Sequence, residues 1–419
     1  MIHIGILLRL AARNVRRQRR RSALIALAMA LGVALLMLFL AVGDGTHAQW
    51  IDSGVRLAGG HLTIETPAFR HSSSLNDRMD STTLRQVDRA LQDASLQHLM
   101  VTAVPRITVS ALASSASSAL PVQVLGVEPN RELRFSLLPG KLTHGRFLAD
   151  TDRTAAVVGQ GLVDRLDLRL GSRFVVTAQT TRGDVQEQLL RVVGIFHTGI
   201  REVDDGVINI PLATARHWLA APATATSVAV LLRDGHDLSR ARAVLQAQLP
   251  AGAPVFTWRE TSPALAAAVA IDNASNYLFN GVLLAIITLA VLEALLVSVL
   301  HRQREFGVLH AMGLSAGETA VVVLAEGVML AVVSGAVGMG VGLGVTAILA
   351  HTGLDLTALV GNQLAISGSV VSPIMYPTVR LARAWQGAAV VIGMGILSSL
   401  YPMWQAARID VAQAMQVEQ

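Results

Sequence analysis

The chain of 419 residues contains no cysteine. That excludes disulfides and any thiolate metal site. It contains no G-x-x-x-x-G-K-[ST], so it has no P-loop to cradle nucleotide phosphates. Residues 43–276 hold no G-x-S-x-G nucleophile elbow. His197, His217 and His236 are scattered without metal-ligand spacing and read as surface or structural histidines. Asp204-Asp205 precedes Gly206 and reads as a turn. These absences describe a chain that is not an enzyme and carries no metal, cofactor or catalytic residues of its own.

What is present is apolar sequence. Hydrophobic residues make up 52% of the chain, and the mean hydropathy is +0.50, well above an ordinary soluble protein. Four runs account for it, at residues 22–42, 277–300, 319–350 and 385–404. A helix rises 1.5 Å per residue, so about 20 residues cross the ~30 Å hydrocarbon layer. The third run exceeds that and is expected to tilt or project. Ser334, Gly338 and Gly342 within it form a small-xxx-small row, which reads as helix packing and not as a nucleotide loop.

Residues 1–21 contain seven arginines and no acidic residue. The positive-inside rule puts this end in the cytoplasm. Alternation then makes 43–276 periplasmic, 301–318 cytoplasmic, 351–384 periplasmic and 405–419 cytoplasmic. Arg302, Arg304 and Arg408 agree with that topology; Arg380 and Arg383 oppose it. The apolar stretch at 22–42 is longer than a signal-peptide core and reads as a retained span. Residues 3–18 form an amphipathic pattern, with Ile4, Leu7, Leu8, Ala11 and Val15 on one face and arginines opposite. Such a helix is expected to lie along an anionic leaflet. This cluster accounts for much of the net charge of +5, so membrane lipid, not nucleic acid, is the expected polyanion.

The segment between spans one and two is long enough for one or two compact domains. Its outer parts read as two β-α-β units, at 61–112 and 226–258, which together suggest an α+β domain. Ser114–Ser118 reads as a polar linker into a mainly β subdomain at about 115–225. Within it, strands at 173–179 and 188–195 flank an Arg182-Gly183-Asp184 turn. Residues 43–58 and 262–276 are helix-compatible and are expected to extend spans one and two as a stalk. The fold class is therefore a membrane α-helical protein with four transmembrane helices. A large periplasmic α+β domain lies between helices 1 and 2 and contains a mainly β subdomain.

Between spans two and three lies a charged segment, residues 301–318. Phe306, Leu309, His310 and Gly313 recur at i, i+3, i+4 and i+7, one face of a helix. Such a helix at the membrane face is a handle for a soluble partner. Glu293 and Glu326 each fall about eight residues from this loop. Intramembrane carboxyls are expected to face the bundle interior. Similar depth would let these two approach each other or a neighbouring helix, serving either packing or a proton-sensitive conformational change.

The order of spans and several local motifs resemble the FtsX/MacB-like permeases of ABC transporters, especially the LolC/LolE-like lipoprotein-release branch. Leu10-Ala11-Ala12-Arg13-Asn14-Val15-Arg16-Arg17 is similar to the family's N-terminal amphipathic helix. Arg304-Glu305-Phe306-Gly307-Val308-Leu309-His310-Ala311-Met312-Gly313 is similar to its coupling helix. Glu326-Gly327 and Tyr401–Asp410 resemble its third-span and C-terminal signatures, and 159–163 and 191–196 its external β subdomain. The resemblance implies an inner-membrane permease subunit in a dimer with a second copy or a paralogue. It implies a separate ABC ATPase dimer, holding ATP and Mg, docked on Arg304, Glu305, Phe306, Gly307, Leu309, His310 and Gly313. Phe306 and Leu309 would enter a groove on that ATPase. The implied work is mechanotransmission, which moves a lipoprotein, lipid or hydrophobic periplasmic substrate with a possible periplasmic or outer-membrane partner. The family also implies an alternative, an FtsX-like signalling subunit that regulates a periplasmic cell-wall hydrolase.

The topology is directly testable because the chain lacks cysteine. A single cysteine at Ser117 should react with an impermeant thiol reagent in intact spheroplasts, and one at Ser315 should not. The reverse pattern would refute the orientation.

Overall fold

The computed structural model describes residues 4–355, 357, 364–366, 369–371, 374–378 and 381–408. Arg380 and Ile409-Asp410 lie outside the described residues, as does much of the 351–384 loop. The chain divides into two compact units. One comprises Met1–His47, Asp272–Leu356 and Ile374–Gln419; the other comprises Ala48–Ile271 and Thr357–Pro373.

Among the described residues, six helices build the first unit or run into it: α1 (Ile4–Arg17), α2 (Arg19–Leu57), α3 (Pro263–Leu300), α4 (Gln303–Ala311), α5 (Ala316–Thr352) and α6 (Leu381–Ala407). Among the described residues, α2, α3, α5 and α6 are long and apolar enough to cross a membrane. Helices α2 and α3 extend past their apolar runs, as the helix-compatible flanks at 43–58 and 262–276 led one to expect.

Each span has a buried stripe and an exposed one. On α2, Ile25, Met29 and Val33 are buried, while Leu24, Leu27 and Leu31 are exposed. Ile25 and Met29 pack with Val291, Leu295 and Leu330. Val33 and Met37 pack with Ala384, Ala388 and Val391. The glycine row of α5 lies against α2. A Cβ at Gly338 would sit 2.5 Å from the Ala30 carbonyl oxygen, and one at Gly342 would sit 2.8 Å from the Met37 Cβ. Only glycine admits that approach of two backbones.

Residues 48–271 of the second unit carry ten strands: β1 (Leu62–Glu65), β2 (Met100–Ser114), β3 (Ala119–Val127), β4 (Leu142–Gly145), β5 (Ala155–Gly159), β6 (Arg173–Gln179), β7 (Val185–Phe196), β8 (Val207–Pro211), β9 (Ser227–Leu232) and β10 (Val255–Thr257). Four of them form an antiparallel sheet in the order β10-β1-β9-β2. The helices Ser81–Leu91 and Leu238–Gln248 complete two interleaved β-α-β units. Asp80 caps the first helix through the Thr83 amide. Leu84, Val87, Ala241 and Leu245 pack onto Ile64, Val228 and Val230.

The remaining pairings run β2-β3-β8-β5-β7-β6 and return to β2. This ring closes into a small barrel around Ile107, Val124, Val158, Phe174, Val176 and Leu190. Closure leaves these strands without open edges. Ser115–Ser118 is the turn of the β2–β3 hairpin, in register Ser114↔Ala119, and not a linker into a separate subdomain. The two layers meet inside β2 itself. Arg106 is its last partner to β9, and Ile107 its first to β3.

That junction holds a buried charge. Arg106 is 5% exposed and Glu132 is 2% exposed. Their side chains pair, and Arg106 also donates to the Ala58 carbonyl. The guanidinium lies 4.4 Å from the Phe135 ring centroid. Such a pair is unfavourable to break from one side, because the orphaned charge stays desolvated.

Asp204-Asp205-Gly206 is not a turn but the end of a short helix, Arg201–Gly206. Asp204 is buried and accepts from the amides of Thr198 and Gly199 and from the Thr198 hydroxyl, at 2.8–2.9 Å. His197 Nδ1 lies 3.0 Å from the same carboxylate. Among the described residues no group of side chains forms a metal cluster.

His61 supplies a pH test. It is buried, and its Nδ1 accepts from the Leu232 amide at 3.2 Å. Burial lowers its pKa below the ordinary 6.5, more than Asp52 and Asp234 raise it. The unfolded chain therefore binds a proton that the folded chain resists. The stabilisation is complete above about pH 6.5 and is lost as pH falls through the lowered folded value. The purified chain should lose more thermal stability between pH 7.5 and 5.5 than its His61→Phe variant. Equal losses would refute this role.

Candidate functional site

Helix α4 begins after Arg302 and ends at Met312, where Gly313 turns the chain with φ +99°. Ser315 then opens α5 with a capping box, its side chain and that of Glu318 each accepting the other's backbone N–H. Residues 313–317 spell G-L-S-A-G, a G-x-S-x-G match. The setting is helix–loop–helix, with Ser315 capping α5, not the strand–turn–helix of a nucleophile elbow.

Of the periodic face seen in the sequence, Phe306 is turned inward, His310 is half-buried and Gly313 is exposed. Phe306 is 0% exposed and packs with Val299, Val323 and Ala406. His310 Nε2 lies 2.9 Å from Thr319 Oγ1 on α5. Phe306 is therefore an anchor of α4 on its own bundle, and the expectation that it enters a partner's groove is corrected. Gly307 is also buried. The Leu309 side chain lies outside what the structure describes. The outward face carries Arg304, Glu305, Val308, Met312 and Gly313. Val308 is 52% exposed and Met312 68% exposed. An amphipathic helix spends its apolar stripe on the nearest apolar surface. Here that surface is the chain's own span.

Glu326 and Glu293 do not meet. Glu326 Oε2 receives Arg302 Nη1 at 2.6 Å, and Glu326 Oε1 receives Asn14 Nδ2 at 2.8 Å. Arg302 Nε donates to Glu305 Oε2 at 2.9 Å. The guanidinium carbon stands 5.0 Å from the Phe306 ring centroid. Arg302 is 5% exposed. Burial works against its charge, but attraction to Glu326, reinforced by Glu305, leaves its pKa above the ordinary guanidinium value. A small cavity beside the cluster is lined by Asn14, Ser298, Arg302, Glu326 and Ser399.

Glu293 is exposed on α3. The buried stripe of that helix is Val291, Leu295 and Val299. Position 293 falls about 200° around from 291 and joins exposed Ile286, Leu289 and Val297. The expectation that it faces the bundle interior is corrected for this chain.

The sequence reading did not single out Arg302 or Asn14 as site residues. The available signal was an arginine beside an apolar run and an asparagine amid arginines, and neither spacing names a partner. Helix α1 differs in one respect as well. Leu7 and Ala11 pack on Val322 and Ala325 of α5, while Leu8 is 44% exposed. Its buried stripe turns to protein, not to a leaflet. Arg383, which opposed the topology, pairs with Asp44, so its positive charge is balanced locally.

Two family profiles match the chain. The MacB-like periplasmic core domain covers residues 22–248, more than half of the chain. The FtsX-like permease C-terminal region covers residues 277–411. The chain belongs to the FtsX/MacB-like ABC permease family. Among its relatives is the "Lipoprotein-releasing system transmembrane protein LolC" of Xylella fastidiosa, 22% identical over 94% of this chain and 92% of that protein. Another is the "Macrolide export ATP-binding/permease protein MacB" of Hyphomonas neptunium, 23% identical over 98% of this chain and 60% of that protein. The solved periplasmic region of MacB from Actinobacillus actinomycetemcomitans aligns with 48% of this chain and 91% of its own, at 13% identity and a TM-score of 0.35.

The burial of Phe306 yields a test that needs no partner. Phe306→Ala should cost the isolated permease about 3–5 kcal/mol of stability, as for a deleted core aromatic. Val308→Ala should fall within about 0.5 kcal/mol of wild type. Chemical unfolding of both variants in detergent checks this, and equal effects would refute the assignment of faces.

Proposed function

We propose that this chain is a membrane permease subunit that couples ATP hydrolysis on a separate ABC ATPase to work at the far face of the inner membrane. Family membership supports the class, and one observation carries the coupling role. Helix α4 connects two apolar spans and is anchored by Phe306 beneath, while Arg304, Glu305, Val308 and Met312 face outward. Exposed apolar side chains ringed by charge are the composition of a docking core and its rim. In this reading α4 and both termini are cytoplasmic, and residues 43–276 form a periplasmic domain inserted between spans one and two. Two permease chains and two ATPases, binding ATP and Mg, make the working complex. The relatives' names favour a lipoprotein, lipid or hydrophobic molecule as the substrate, extracted or exported by rigid-body coupling.

The test uses the full chain co-expressed with its ABC ATPase. Val308→Asp and Met312→Asp should each weaken association at least tenfold, which is about 1.4 kcal/mol, without lowering the amount of folded permease. Undiminished association in both would refute α4 as the docking helix. A cysteine label at Met312 is preferable to one at Ser315 for the orientation test, since Ser315 caps α5.

A further inference from the structure

We infer that Arg302 is a positioning residue that locks α4 to α5 and to α1, so that a displacement of α4 is passed to both and not absorbed by the loops. The inference rests on the coupling reading of α4 and adds the internal route by which motion leaves it.

Arg302 is withdrawn from water and cannot shed its charge, so its carboxylate contacts are obligatory. Its planar fork divides them between two helices. One arm holds Glu305 on α4, and the other holds Glu326 on α5. The second oxygen of Glu326 is taken by Asn14 of α1. The Phe306 ring beside the guanidinium is itself buried against α3, α5 and α6. Thus α1, α4 and α5 converge on one guanidinium. Besides the cluster, α4 and α5 are joined by the His310–Thr319 hydrogen bond, by Phe306 packing on Val323, and by a short exposed turn at Gly313 in a backbone conformation suited to a hinge. Without the cluster, the Phe306 and His310 contacts would be left to resist a pivot of α4 there. A lysine at 302 would supply one point charge in place of the fork, and could not hold both carboxylates in the same geometry.

The experiment uses the full chain with its partner ATPase and three variants: Arg302→Lys, Glu326→Gln and Asn14→Ala. Three quantities are read: association with the ATPase, the permease-dependent change in ATP turnover of the bound complex, and the distance distribution between spin labels at Arg9→Cys and Met312→Cys. The lock predicts association within about twofold of wild type, as expected when the outward face is untouched. It predicts at least a tenfold loss of the permease-dependent change in turnover, and broadened distances in the permease alone. Unchanged turnover and distances would overturn it. Association falling in proportion to turnover would also overturn it, since the cluster would then only shape the docking surface. A loss of folded protein with normal coupling in what remains overturns it too, leaving a purely structural pair. Should Glu326→Gln fail to accumulate, Asn14→Ala decides the matter, because it leaves the ion pair whole. If the wild-type chain binds no ABC ATPase, the coupling reading fails, while the label distances still decide the lock.

Discussion

A guanidinium taken out of water must be met by carboxylates, and at Arg302 that requirement organises one end of the helical unit. The residue sits where the second span ends and the short helix begins. Its two acidic partners come from different helices, and the amide of Asn14 completes the coordination of Glu326. Removing Arg302 leaves the Glu326 carboxylate without its counter-charge, and removing Glu326 takes from the buried guanidinium its shortest carboxylate contact. Phe306 contributes through the same neighbourhood, filling the apolar side of the arginine while fixing α4 on its own bundle. The outward face of α4 is what this internal anchoring leaves over.

The α/β unit has a parallel arrangement. One long strand, β2, serves first the open sheet and then the barrel, and the changeover falls at Arg106. A charged side chain is again buried there, paired with Glu132 and stacked near Phe135. Thr226 marks the return of the chain, its amide donating to the Arg106 carbonyl at 2.9 Å. The barrel is therefore bound to the open sheet by a shared strand and a buried ion pair. A flexible linker would have let the two layers move apart; a shared strand holds them in register.

The exposed stripes of the spans follow from the bilayer. Lipid tails are as apolar as leucine, so Leu24, Leu27 and Leu31 gain nothing by turning inward. Small residues decide where helices touch, as Gly338 and Gly342 do against α2. Glu293 is the exception on the outer face of α3, the one carboxylate among Ile286, Leu289 and Val297. A charge there is unfavourable against lipid.

By itself the sequence determined the number of apolar helices, the two β-α-β units and the presence of a short helix between the second and third spans. These are local properties, written in periodicity and cap chemistry within one or two turns. It also singled out Glu326. Only the tertiary structure decided what each surface meets. Periodicity marked Phe306 as part of an apolar face but could not say whether that face meets the chain's own span or a partner. Similar depth suggested that Glu293 and Glu326 approach each other, yet their helical phases point them apart. Ser114–Ser118 read as a linker because polar serines are common to linkers and hairpin turns, and only strand pairing separates the two. Asn14, Arg302 and Glu326 are distant in sequence, and nothing in their spacing announces a cluster. Burial and pairing belong to sets of residues that the fold brings together, and a one-dimensional pattern records only one member of each set.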